Sequence, residues 1–162
     1  MKRIYCIRHA KSSWSDPFLD DIDRPLNKRG KRDSPFMAVK LKERVESVEY
    51  AAISPAKRAR RTADEFEKVY TLKGRDIITK IYHASSDTLI DVLHDLPAEY
   101  DSAMIFGHNP GFTFLHNTFA ARKIDNLPTC GIFEIVSEVE EWDDIDTTNS
   151  RVGFVIYPKL FV

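Results

Sequence analysis

The sequence predicts a three-layer α/β sandwich: a mostly parallel mixed sheet of about six strands, in one domain spanning residues 1–162. Three observations point there. Short apolar, β-prone runs at residues 3–7, 50–53, 77–82 and 102–106 have the near-continuous apolar character of strands buried on both faces. Stretches of helical periodicity separate them, the alternation that builds a parallel sheet. Two late runs, 131–136 and 152–157, are joined by the acidic, polar segment 138–150, too short for a packed crossover helix, so they form an antiparallel hairpin at one edge.

The elements follow in order. Residues 3–7 form the first strand, which ends on Arg8 and His9. Residues 10–25 hold Pro17 and several aspartates without helical or strand periodicity, and read as a functional loop. Asn27 is an N-cap for a helix carrying Phe36, Met37, Val39 and Leu41 to about Val45, with Pro35 expected to kink or shorten its start. After the second strand, 50–53, Ser54 and Pro55 supply an N-cap and a first-turn proline for a helix over 56–70. The third strand, 77–82, precedes a helix from Ser86 to about Leu96. The fourth, 102–106, closes on Gly107-His108-Asn109-Pro110-Gly111, and a helix through His116 follows. Phe106, Phe112, Phe114 and Phe119 are assigned to the core, and His83, His94 and His116 to structure or surface.

Composition removes several function classes. The 24 basic and 25 acidic residues leave a net charge of −1, so no long-range field gathers nucleic acid or an anionic membrane. No window approaches the roughly eighteen apolar residues of a membrane span, and the N-terminus lacks a signal-peptide pattern, so a soluble, cytoplasmic protein is expected. Cys6 and Cys130 are expected to be buried free thiols, and no cysteine spacing suggests zinc. The sequence assigns no oligomeric state.

In open α/β sheets, ligand sites gather beyond the carboxyl ends of the strands. Three strand ends place polar residues there: Arg8-His9, Ser54-Pro55-Ala56-Lys57-Arg58, and Gly107-His108-Asn109-Pro110. Two arginines and two histidines at one rim suit phosphate, because guanidinium forks match phosphoryl oxygens with paired, charge-assisted hydrogen bonds. Adjacent arginines lower a histidine's pKa and leave His9 neutral, as a nucleophilic imidazole must be, while His108 can donate to the phosphoryl oxygens. Other phosphatase chemistries fit less well. A thiol phosphatase needs arginine six positions after cysteine, whereas Ser12 follows Cys6 and Val136 follows Cys130 at that spacing. The Asp-x-Asp pairs at Asp21/Asp23 and Asp144/Asp146 follow loop or acidic sequence rather than a strand, and no close His/Asp spacing supports a metal site.

Arg8-His9-Ala10-Lys11-Ser12-Ser13, Asp23-Arg24-Pro25-Leu26, the run from Ser54 through Arg58 to Thr62, and Gly107-His108-Asn109-Pro110-Gly111 resemble, in order, the histidine phosphatase superfamily and its compact SixA-type phosphohistidine phosphatase branch. The resemblance implies a phosphoglycerate mutase-like fold without a large cap insertion. It makes His9 the phosphoacceptor, Arg8, Arg58 and His108 the phosphate pocket, and Ser12 a further phosphate donor. Arg24 belongs to the same signature, and Trp14, in the long loop, is expected to line the mouth of the site. Asp21 resembles the aspartate that compact members offer as proton donor, with Asp23 its rival; the acidic run 20–23 would raise its pKa. The expected activity is therefore a phosphatase without cofactor or metal, acting through phospho-His9 on phosphohistidine in proteins. A small-molecule phosphomonoesterase and a phosphate- or phosphoprotein-binding module with little turnover are the alternatives.

Overall fold

The computed structural model describes residues 1–162. Six strands form one sheet in the order β3-β2-β4-β1-β5-β6, with β1 at Lys2–Arg8, β2 at Tyr50–Ile53, β3 at Gly74–Ile77, β4 at Ser102–Gly107, β5 at Ile132–Ser137 and β6 at Ser150–Ile156. The first four run parallel to one another; β5 is antiparallel to β1 and β6 antiparallel to β5, the mixed edge read from the short acidic link. Alternation along the central strand divides the core. Ile4 and Cys6 face α3 (Ser86–His94) and α4 (Gly111–Phe119), whereas Tyr5 and Ile7 face α1 (Lys28–Arg44) and α2 (Lys57–Glu67). The result is the three-layer sandwich, with no large insertion between its elements.

Several local expectations need correction. Pro35 sits inside α1 without shortening it: the helix starts at Lys28, where the Asn27 side chain accepts from the Gly30 amide, 2.9 Å. The third strand lies earlier than expected, at Gly74–Ile77. It is a short edge strand with exposed Arg75 and Asp76, so it lacks an apolar signature, and the run beyond it forms a single 3₁₀ turn, Thr79–Ile81, that buries only Ile81. Ser54 is not the cap of α2. Ala56 occupies that position and no side chain caps it. Phe106, Phe112 and Phe119 are buried, but Phe114 is 56% exposed, on the outer face of α4. Cys6 and Cys130 are both buried and unbridged.

Candidate active site

The strands β2, β4 and β1 are neighbours and end at one level, with Arg8 opposite Gly107 and Ile53 opposite Phe106. That register brings the three polar segments together. The His9 backbone is fixed from both sides, its N–H donating to Gly107 O at 3.0 Å and its carbonyl accepting from the Cys130 N–H at 3.1 Å. The Ala10 N–H donates to Thr62 Oγ1, 2.9 Å, which ties the start of the loop to α2. At Gly30 the first turn of α1 presses on the same loop: a Cβ there would lie 2.1 Å from the Lys11 carbonyl oxygen.

His9 is 7% exposed. Its Nδ1 lies 2.7 Å from Ala10 O, and since a carbonyl only accepts, Nδ1 carries the proton and Nε2 presents a lone pair. Burial, reinforced by the charges of Arg58, Arg8 and Arg24, lowers the His9 pKa to about 3. His108, with its ring centroid 5.2 Å from that of His9, is lowered to about 2 by burial and then by His9 and Arg58. Both imidazoles are neutral at neutral pH.

The pocket keeps several of its buried hydrogen-bonding atoms unused. Arg8 donates through Nη1 to Leu127 O, 2.8 Å; Arg58 donates through Nη1 to Asp21 O, 2.7 Å, and through Nη2 to Asp21 Oδ2, 3.0 Å. The buried side-chain nitrogens and oxygens without any partner in the chain are Arg8 Nε, Arg58 Nε and His108 Nδ1. Orphaned buried polar groups are rare and costly, and all of these belong to residues around His9.

Asp21 reaches the site, but in a different electrostatic setting from the one its neighbours in sequence suggest. Its carboxylate accepts from Arg58, from Arg24 Nε at 3.1 Å and from the Tyr82 hydroxyl at 2.5 Å, and His83 Nε2 lies 3.6 Å away. Burial alone would raise the Asp21 pKa; the bonds from Tyr82, Arg58 and Arg24 outweigh it and hold the carboxyl well below the usual carboxylate range. The expected upward shift from adjacent carboxylates is therefore reversed, because folding turns Asp21 toward cations and a phenol. Asp23, its rival, is exposed. Tyr82, its own pKa raised by burial and by the bond to Asp21, keeps its proton.

The remaining assignments divide. Ser12 is buried and accepts from Arg24 Nη1, 2.8 Å, through an isolated bridge that pairs Ser12 with Leu26. Arg24 is thereby held between Ser12, Ser13 O and Asp21, and its guanidinium carbon stacks 3.5 Å from the Trp14 ring centroid. Trp14 itself is 72% exposed, at the rim. His94 and His116 lie in structural contacts with Ile145 O and Asn117. His83 does not: its ring packs 4.0 Å from Tyr82 and 6.4 Å from His108, and its backbone is left-handed at φ 54°, a conformation that non-glycine residues adopt chiefly under local constraint. Sequence reasoning missed Tyr82, His83 and Ser54. Ser54 had a signal, its place directly after β2; Tyr82 and His83 had none, because they follow a 3₁₀ turn rather than a strand. No group of three or more His, Cys, Asp or Glu side chains is placed to hold a metal, and no helix is long and apolar enough to cross a membrane.

The sequence model of the histidine phosphatase superfamily (branch 1) matches residues 4–76, the segment that contains Arg8, His9 and Arg58. An uncharacterized protein of Mycobacterium leprae is 26% identical over 165 residues, covering 94% of this chain and all of its own. Among solved structures, the protein histidine phosphatase SixA complexed with tungstate superposes with a TM-score of 0.82 at 19% identity, over 99% of both chains. The putative phosphohistidine phosphatase SixA from Agrobacterium tumefaciens gives 0.79 at 24% identity, over 97% of this chain and 98% of its own. Over residues 4–76, the part that carries His9, this chain is therefore similar in sequence to the histidine phosphatase superfamily (branch 1), and it shares the fold of the SixA structures from the first strand to the last.

Proposed function

We propose that this chain removes the phosphoryl group from phosphohistidine in proteins through a covalent phosphohistidine on His9. In the first step the His9 Nε2 lone pair attacks phosphorus while the phosphorus–nitrogen bond of the substrate breaks, and the substrate imidazole, already protonated on its other ring nitrogen, departs with the electron pair as neutral imidazole. Water then attacks phosphorus, the bond to His9 breaks, and inorganic phosphate leaves. Arg8, Arg58 and His108 donate to the equatorial oxygens, where charge spreads in the transition state, and Arg24 adds positive potential with Ser12 beside it.

The observation that carries the substrate class is the state of Asp21, an anion tied to Arg58, Arg24 and Tyr82. A site whose nearest carboxyl is ionised is poorly equipped to protonate an alkoxide. A phosphohistidine protonated on its other ring nitrogen releases neutral imidazole, whose conjugate acid has a pKa of about 6.5, and this group leaves without that help. Asp21 then serves chiefly to hold Arg58. The rim supports a large substrate: no cap insertion covers the pocket, and Trp14 and His83 stand 72% exposed and, by side chain, 66% exposed beside it.

The test compares a phosphohistidine protein with p-nitrophenyl phosphate, both in EDTA. Turnover of the protein that survives the chelator, vanishes in His9→Ala and falls less than about threefold in Asp21→Asn, an effect of the size of one weakened hydrogen bond, is expected. Phosphate release from the small ester alone would replace this reading with a phosphomonoesterase. Binding of the phosphoprotein without release would make the chain a binding module.

A further inference from the structure

We infer that Ser54 is a positioning residue that fixes His108 as the tautomer bearing its proton on Nδ1, so that this imidazole offers an N–H, and not a lone pair, to the phosphoryl oxygens. The inference rests on the phosphatase reading for its catalytic consequence, but the tautomer follows from counting hydrogen bonds.

Ser54 is fully buried directly after β2, its backbone N–H bonded to Phe106 O at 3.0 Å. Its hydroxyl oxygen accepts from the Ala56 N–H, 3.2 Å, and lies 2.7 Å from His108 Nε2. A serine hydroxyl has one proton to give. If His108 carried its proton on Nε2, that N–H would donate to Ser54, and the Ser54 proton, with no other partner in reach, would be an orphaned buried donor. His108 Nδ1, which has no partner either, would then be a bare lone pair among Arg8, Arg58 and His9. Two buried groups would be unsatisfied. If Ser54 instead donates to Nε2, every Ser54 atom is used and one orphan is left, the Nδ1–H. Each unmet buried group costs about 1–3 kcal/mol, so the second arrangement is favoured. Because His108 is held neutral by burial and by His9, it has a single N–H, and its location matters.

The two histidines thus share a tautomer and play opposite roles. In His9 the Nδ1 proton is spent on Ala10 O, and the bare Nε2 is the nucleophile. In His108 the bare Nε2 is spent on Ser54, and the Nδ1 proton is free for an anion, which can only accept. A rate-enhancing donor next to the nucleophile is set by a hydroxyl that touches neither phosphorus nor its oxygens.

The experiment is ¹⁵N imidazole NMR of the whole chain at neutral pH, with and without inorganic phosphate, alongside turnover on the phosphohistidine protein. In the native chain His108 should show a protonated Nδ1 and a bare Nε2, and phosphate should perturb the Nδ1 signal. Ser54→Ala should give mixed tautomers and about tenfold losses in phosphate affinity and kcat, the effect of one net hydrogen bond, and Ser54→Thr, which retains the hydroxyl, should restore all of them. A native His108 protonated on Nε2 would overturn the inference without recourse to any variant. So would a Ser54→Ala chain, folded by circular dichroism, with unchanged tautomer and unchanged phosphate affinity. If the tautomer and affinity results hold but no phosphohistidine substrate turns over, the substrate reading fails and the assignment of Ser54 stands.

Discussion

Acidification should destabilise this protein through its two site histidines before any carboxylate is titrated. In the unfolded chain both ionise near pKa 6.5, whereas in the folded chain burial and neighbouring charge lower His9 to about 3 and His108 to about 2. The unfolded state therefore binds more protons throughout that interval. The stability that neutral histidines contribute is complete above about pH 6.5 and is lost progressively as pH falls toward the folded values. Each group contributes about 1.4 kcal/mol per pH unit, hence about 2 kcal/mol between pH 6.5 and pH 5 and about 4 kcal/mol for the pair. That is a large part of the 5–15 kcal/mol that holds a typical domain together. Asp21, whose pKa is depressed, acts in the same direction but only below the ordinary carboxylate range, outside this window. Urea unfolding at pH 7 and pH 5, followed by the fluorescence of buried Trp142 in a buffer without phosphate, measures the effect. The native chain should lose about 4 kcal/mol more than the His9→Gln/His108→Gln double variant, with each single variant about halfway. Equal losses in the native chain and the double variant would refute the assignment of buried, neutral imidazoles.

Arg58→Ala should lower kcat/KM by about 10²–10³, the cost of removing one preorganised donor to a developing oxyanion, and Arg58→Lys should recover no more than about tenfold of it, because a point charge cannot both hold Asp21 and leave a donor for phosphate; steady-state kinetics on the phosphohistidine protein decide this. Gly30→Ala, a change that ordinarily favours a helix by about 1 kcal/mol, should instead destabilise by about 1–3 kcal/mol and reduce activity, since the added Cβ would meet the Lys11 carbonyl at 2.1 Å and displace the loop behind His9; thermal unfolding and turnover measured together report both effects.

Much of the architecture was legible in the sequence because burial writes itself into periodicity. β1, β2 and β4 are covered on both faces, so their residues had to be continuously apolar, and the polar residues that interrupt them, Arg8-His9, Ser54 and His108, fall where the sheet ends. The same logic explains what could not be read. β3 is an exposed edge strand whose Arg75 and Asp76 carry no apolar signal, and Phe114 is apolar on an outer helix face, where local pattern does not distinguish core from surface.

The sequence by itself determined which polar groups stand at the strand ends, since a strand end is a local property, whereas the adjacency of β1, β2 and β4 that brings those groups together belongs to the folded sheet. Tertiary structure alone decided the state of those groups. The protonation of Asp21 depends on Arg58, 37 residues away, and on Tyr82, 61 residues away, and both override the acidic neighbours that surround it in the chain. The role of Ser54 likewise depends on a histidine 54 residues distant. Ionisation and tautomer are set by distances in space and by burial, and neither quantity is encoded in a residue's immediate neighbours.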